Sequence, residues 1–215
     1  MTPEPLTPEN TTLVLVDYAI GFANVLRSHD LSLHLNNVIG FAKTAKIFDT
    51  GLVVTNGLPD KPSGPLYPEL VDVIGADQPV VERAGNFNSF LDPAFADAVR
   101  AQGRPKLAIG GVSTEGCVLQ TVLGGLREGY EVYVVADACA SISRETHDTA
   151  IQRMAMSGAI PVTWFSLAGE FQVDHRAPTA PQYQQLMAGH VPSMRMGGLS
   201  YFAAQHQARL ALQDA

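Results

Sequence analysis

The sequence predicts an α/β fold of three layers, α/β/α, with a mainly parallel, doubly wound sheet. Three observations carry this prediction. Short runs rich in Val, Leu and Ile recur along the chain and are apolar throughout rather than alternating, as strands buried on both faces must be. Stretches with helical spacing separate them, which is how parallel strands are joined. Glycines and prolines mark the boundaries between the two.

Taken in order, residues 1–10 contain Pro3, Pro5 and Pro8 and read as a loose arm. The run Thr12-Leu-Val-Leu-Val16 is a buried strand with Asp17 at its tip. Leu35, Val38, Ile39, Ala42 and Ile47 recur at helical spacing up to Gly51, and residues 52–55 form the next strand. The segment 57–68, with four prolines and two glycines, reads as an irregular loop over the carboxyl edge of the sheet. Residues 78–81 are a short strand candidate, and 93–99 a helix with Pro93 in its first turn. Residues 105–109 and 131–136 are further strands, separated by a helix over 114–128 that stops at Gly129. A helix over 144–157 ends at Gly158, and 159–164 is the last core strand. Beyond it, 166–215 reads as an irregular segment followed by helices near 181–187 and 199–212, an appendage that covers the core or packs on another subunit. Right-handed crossovers follow for strands in this order.

The whole chain, 1–215, fits one domain with a core at about 10–165, because 215 residues with 46% hydrophobic and 16% charged content can bury one sizeable core. A formal net charge of -7 with no cluster of Lys or Arg argues against nucleic acid or an anionic membrane as the partner. No run of about 18 apolar residues is present, and the first residues lack the charged-then-apolar pattern of a secretory leader. Two cysteines, Cys117 and Cys139, suit free thiols in a reducing compartment, so the expected location is the cytoplasm.

Ligands of open α/β sheets bind outside the carboxyl ends of the strands, near the point where strand order reverses. Three polar residues converge there. Asp17 ends the first strand, Arg83 follows the strand at 78–81, and Cys117 lies in the segment Leu107-Ala-Ile-Gly-Gly-Val-Ser-Thr-Glu-Gly-Cys117-Val-Leu-Gln120. That segment reads as a buried strand turning at Gly110-Gly111 into a helix capped by Ser113 or Thr114, with Cys117 in its first turn. A helix N-terminus favours an anion, so the expectation is a lowered thiol pKa. Each residue also has an ordinary alternative: Cys117 as a small packed hydrophobe, Asp17 as a cap or ion-pair partner, Arg83 as a solvated surface charge.

These residues resemble the isochorismatase-like cysteine hydrolases. The likeness rests on Asp17 after the first apolar run, a basic residue before Gly85-Asn-Phe-Asn-Ser-Phe90, Gly-Gly-Val-Ser-Thr-Glu-Gly-Cys-Val at 110–118, and Asp137-Ala138. It covers roughly 10–170. It extends through Thr163-Trp-Phe165 and the C-terminal segment to a bacterial subgroup of octameric hydrolases whose substrate is not settled. The resemblance implies a triad falling on Asp17, Arg83 and Cys117, a cis peptide between Val112 and Ser113, and an oxyanion hole from the Ser113 and Cys117 amides. It implies a covalent thioester route, a homo-oligomer and no cofactor. Two departures stand out. Arg83 replaces the commoner lysine and stays protonated, and Ala19 stands where the wider family often has a glutamine.

By placement, Phe22, Asn56, Phe87 and Trp164 are pocket candidates, and their mixed apolar and amide character suits a small amide, imide or ester as the small-molecule substrate. A zinc site of the nicotinamidase kind is not expected, because Asn56-Gly-Leu-Pro-Asp60 lacks the required histidine and the six histidines show no ligand spacing. Gly111-Val-Ser113-Thr-Glu115 nearly matches a serine elbow, with Asp137 and His147 following, which leaves a serine hydrolase using Ser113 as an alternative. A catalytically idle oligomeric scaffold or binding protein of the same fold is the alternative from another class.

Overall fold

The computed structural model describes residues 4–213, with backbone only for 210–213; the first three residues of the predicted arm lie outside the described residues. The elements run β1 (Thr11–Val16), α1 (Ile20–Ala23), α2 (Leu31–Phe48), β2 (Gly51–Gly57), α3 (Pro68–Ile74), β3 (Val80–Arg83), α4 (Pro93–Ala101) and β4 (Lys106–Gly111). They continue with α5 (Leu119–Arg127), β5 (Glu131–Val135), α6 (Arg144–Met156), β6 (Ile160–Val162), α7 (Trp164–Gln172), α8 (Ala180–His190) and α9 (Pro192–Gln213).

The six strands form one sheet in the order β3-β2-β1-β4-β5-β6, and every neighbouring pair is parallel. The order reverses between β1 and β4. Asp17 and the turn that carries Cys117 therefore flank the crevice where such sheets hold ligands. Alternate residues of the strands feed two cores. Leu13, Leu15, Ala108, Tyr133 and Val135 pack with α2, α3, α7 and α8 on one face. Val14, Val16, Leu107, Ile109, Val132 and Val134 pack with α4, α5 and α6 on the other. This two-sided demand is why the strands read as unbroken apolar runs.

Several predicted boundaries shift. The edge strand falls at Val80–Arg83 rather than 78–81, so Arg83 is its last residue and pairs in register with Gly57. The last core strand is confined to Ile160–Val162, because Thr163 caps a new helix: its hydroxyl accepts from the Ser166 N–H while Ser166 Oγ accepts from the Thr163 N–H. The expected irregular segment after 166 is thus helical at its start. α8 and α9 overrun the predicted helices at both ends. An unforeseen helix, α3, follows the proline-rich loop with Pro68 in its first turn.

Histidines that looked ordinary in the sequence are buried beside the carboxyl edge. His34 on α2 lies between the rings of Tyr18 and Tyr67, each at a centroid distance of 6.0 Å, and neither ring nitrogen has a partner among the described residues. His147 on α6 pairs its Nδ1 with Thr114 Oγ1 at 2.9 Å and meets the edge of His29 at 4.8 Å. Burial lowers both pKa values to about 4. Each ring is therefore neutral in the fold, while in the unfolded chain it binds a proton below about pH 6.5. Each histidine's contribution to stability is therefore full above that pH and is lost as pH drops from 6.5 towards 4. In urea unfolding across this range, His147→Gln is expected to lose less stability as pH falls than the parent protein does.

Candidate active site

Asp17 follows β1 in the left-handed backbone region, with φ of 55°. Short polar side chains tolerate that conformation better than most. Its N–H donates to the Thr55 carbonyl at 3.1 Å, and its Oδ1 accepts from Thr55 Oγ1 at 2.8 Å. Its Oδ2 accepts from the Arg83 Nη2. The other Arg83 amino group donates to the Asn86 carbonyl, while the buried Nε has no partner among the described residues. Both side chains of the pair are almost wholly removed from water, at 5% and 3% exposure. Ionic groups are tolerated at such depth only when paired and hydrogen-bonded.

Cys117 reaches the same spot from the other side of the crevice. Close approach of β4 to β1 requires Gly111, since a Cβ there would sit 2.6 Å from the Val16 Cβ. The following peptide, Val112–Ser113, is cis. The chain then enters a single π-helical turn, Thr114–Val118, before α5 begins. Neither Ser113 nor Thr114 caps this turn through its side chain. Thr114 Oγ1 is instead held by His147. Turns of this kind occur often at functional sites. Gly116 and Val118 N–H groups donate to the Ser113 carbonyl and Thr114 N–H to that of Ala140, whereas the Ser113 and Cys117 N–H groups make no hydrogen bond outside their own turn.

The half-buried thiol lines the same cavity as Asp17 and Arg83. Its pKa is pushed up to about 12, first by burial and then by the Asp17 carboxylate, against the opposing pull of Arg83. This reverses the expectation of a lowered pKa from the helix terminus: desolvation and an adjacent anion outweigh the N-terminal dipole. At neutral pH the resting group is a protonated thiol beside a carboxylate.

A cavity of about 130 Å³ opens on the three side chains. Phe22 and Phe87 line it together with Gly57, Ser63, Gly85 and Asn86. The wall from 85 to 90 is fixed from behind. Ser89 N–H donates to Thr121 Oγ1 on α5 at 3.1 Å, and Asn88 Oδ1 accepts from the Phe90 N–H. Phe87, at 64% exposure, is left at the mouth.

Residues 11–166 match the isochorismatase domain. The chain belongs to the isochorismatase family. It is 33% identical to the probable hydrolase YcaC of Escherichia coli over 91% of this chain and 93% of that one. The crystal structure of the E. coli YcaC gene product, described as an octameric hydrolase of unknown specificity, superimposes with a TM-score of 0.89 at 33% identity, covering 95% of this chain and all of that one. YcaC from Pseudomonas aeruginosa, solved with hexane-2,5-diol and covalent acrylamide, gives the same TM-score at 31% identity over 94% and 98% of the two chains.

Within this isochorismatase domain two of the pocket candidates lie elsewhere. Trp164 is buried behind the sheet edge, its N–H donating to Asp137 Oδ1 at 2.9 Å and its Nε1 to Asn37 Oδ1 at 3.1 Å. It opens a helix instead of ending a strand, so it faces α2. Asn56 stands behind the wall, its Nδ2 holding the Gly64 carbonyl at 3.1 Å, and its neighbour Gly57 lines the cavity instead. The serine arrangement does not form, because His147 is bonded to Thr114 and Asp137 to the Trp164 amide. Among the described residues, no three His, Cys, Asp or Glu side chains are grouped to hold a metal ion, and no helix is long and apolar enough to cross a membrane.

Sequence reasoning missed Thr55, which orients Asp17, and Ser63, which the proline-rich loop brings to the cavity. A threonine at a strand end beside a strand-end aspartate was the available signal for the first; Ser63 had none.

Two outcomes are expected. Arg83→Met leaves the Asp17 carboxylate buried and unpaired, and should cost about 3–5 kcal/mol in urea unfolding. Asp17→Asn removes an anion that raises the Cys117 pKa, so thiolate absorbance in that variant should appear at lower pH than in the parent protein.

Proposed function

We propose that this isochorismatase-family protein is a cysteine-dependent hydrolase of a small amide, imide or ester, acting through Asp17, Arg83 and Cys117 by a covalent thioester. The observation that carries this reading is the convergence of a thiol, a carboxylate and a guanidinium on one small cavity at the reversal point of the sheet. The substrate is a small molecule, since the cavity is small and the chain is acidic without a basic cluster. The reading uses no cofactor, and places the protein in the cytoplasm as a homo-oligomer, the octameric state of the E. coli relative supporting assembly.

The resting thiol keeps its proton, so attack and proton transfer are coupled. As Cys117 Sγ bonds to the substrate carbonyl carbon, its proton passes to Asp17, which acts as general base. Arg83 is permanently charged and takes no part in proton transfer; it holds Asp17 in place and balances charge. The carbonyl oxygen becomes an oxyanion that accepts from the Ser113 and Cys117 amides, which make no backbone hydrogen bond outside the turn among the described residues. Collapse of this intermediate breaks the bond to the leaving group, which takes the proton from Asp17. Water then loses a proton to Asp17 and attacks the thioester carbon, and release of the acid product returns the proton to Sγ.

The raised thiol pKa is the one observation that favours the alternative, an idle scaffold of the same fold. Reaction with electrophiles separates the two readings. Covalent acrylamide accompanies the P. aeruginosa relative; here a working site is expected to take up iodoacetamide at Cys117 in preference to buried Cys139, as read by peptide mass.

Against a panel of small amides, imides and esters, Cys117→Ala should lose turnover by about a thousandfold or more while keeping its circular dichroism and unfolding midpoint. Full activity in that variant, on a substrate the parent protein hydrolyses, would overturn the mechanism.

A further inference from the structure

The last helix presents a surface that the rest of the chain does not cover. α9 has 22 residues, about 33 Å of helix, and its described residues 192–209 are exposed apart from half-buried Gly198. Met194, Met196, Leu199, Tyr201 and Phe202 are 49–66% exposed on it. Single exposed apolar residues are ordinary, but a cluster of this kind marks an interaction site. Met194, Leu199 and Phe202 fall on one stripe at helical spacing. That stripe lines a cleft of about 640 Å³ whose other wall is Phe165, Tyr183 and Met187 of α7 and α8.

The cleft asks for an apolar, rod-like occupant, and the chain itself carries one. We propose that the α9 stripe of a second copy of this protein seats in the cleft, and that the first copy's α9 seats reciprocally in the partner's. An isologous contact about a two-fold axis needs a self-complementary patch, and a helix that forms one wall of the groove it fills supplies both halves of the contact. The E. coli relative, whose whole length is covered by this chain at a TM-score of 0.89, is octameric. An anionic membrane is a poor alternative occupant. Interfacial helices are rich in Lys and Arg, whereas α9 carries only Arg195 and Arg209 in its 22 residues. Most helical stability in proteins comes from packing of an apolar face, so packing against a partner also accounts for its persistence beyond the core.

The inference rests on the homo-oligomer reading above and adds the surface that makes it. The test is light scattering after size exclusion of the full-length protein, comparing the parent with Leu199→Glu, Phe202→Glu and, as a control, Met156→Glu on α6, which is 83% exposed. The parent and Met156→Glu should share one oligomeric mass. Leu199→Glu and Phe202→Glu should fall to half of it or less, with unchanged circular dichroism. Retention of the parent mass by both variants would overturn the docking site while leaving the oligomer standing; a monomeric parent would overturn both. Should the variants precipitate, hydrogen exchange on the parent oligomer decides. Protected amides along α9 support the contact, and exchange at free-peptide rates refutes it.

Discussion

A carboxylate and a guanidinium taken almost entirely out of water are the constraint around which the carboxyl edge of this sheet is built. Desolvating two ions costs several kcal/mol each and is offset only by close pairing with further hydrogen bonds. The surroundings of Asp17 and Arg83 meet that requirement from three elements. Thr55 of β2 supplies a hydroxyl donor and a backbone carbonyl, β3 delivers the guanidinium at its last residue, and the loop after it returns the Asn86 carbonyl. Loss of any one leaves a buried charge short of partners. The edge strand, the end of β1 and the wall carrying Phe87 are thereby tied into one unit.

Burial and the carboxylate of this pair set the state of the thiol. Desolvation first, and then the negative charge of Asp17, hold the proton on Sγ. The carboxylate and the helix terminus differ in range and in medium: the dipole of a terminus is worth a fraction of a full charge, while Asp17 is a whole charge in a poorly solvated place. What the turn after β4 contributes instead is direction. It brings Sγ to the cavity that Asp17 and Arg83 also line.

The sheet was legible because each central strand is buried on both faces, so Thr12-Leu-Val-Leu-Val16 admits hardly any other reading, and Asp17, Arg83 and Cys117 follow from the ends of those strands. The edge was harder. Val80 and Glu82 of β3 are exposed and Val81 is only partly buried, so burial left little pattern from which to fix its register, and Arg83 was placed after the strand instead of on it. Trp164 was misplaced for a related reason: Thr163-Trp-Phe165 has strand-like composition, and the signal that overrules it is the capping pair of Thr163 and Ser166, two small hydroxyls easily taken for linker. Histidines 34 and 147 carried no pattern at all, because their burial comes from residues far away in the chain.

The left-handed backbone at Asp17 has a consequence of its own. Most side chains resist that conformation, but aspartate and asparagine both accept it. The exchange that deletes the negative charge is therefore also one the main chain accepts. Architecture and ionisation, entangled almost everywhere else in a buried site, come apart at residue 17.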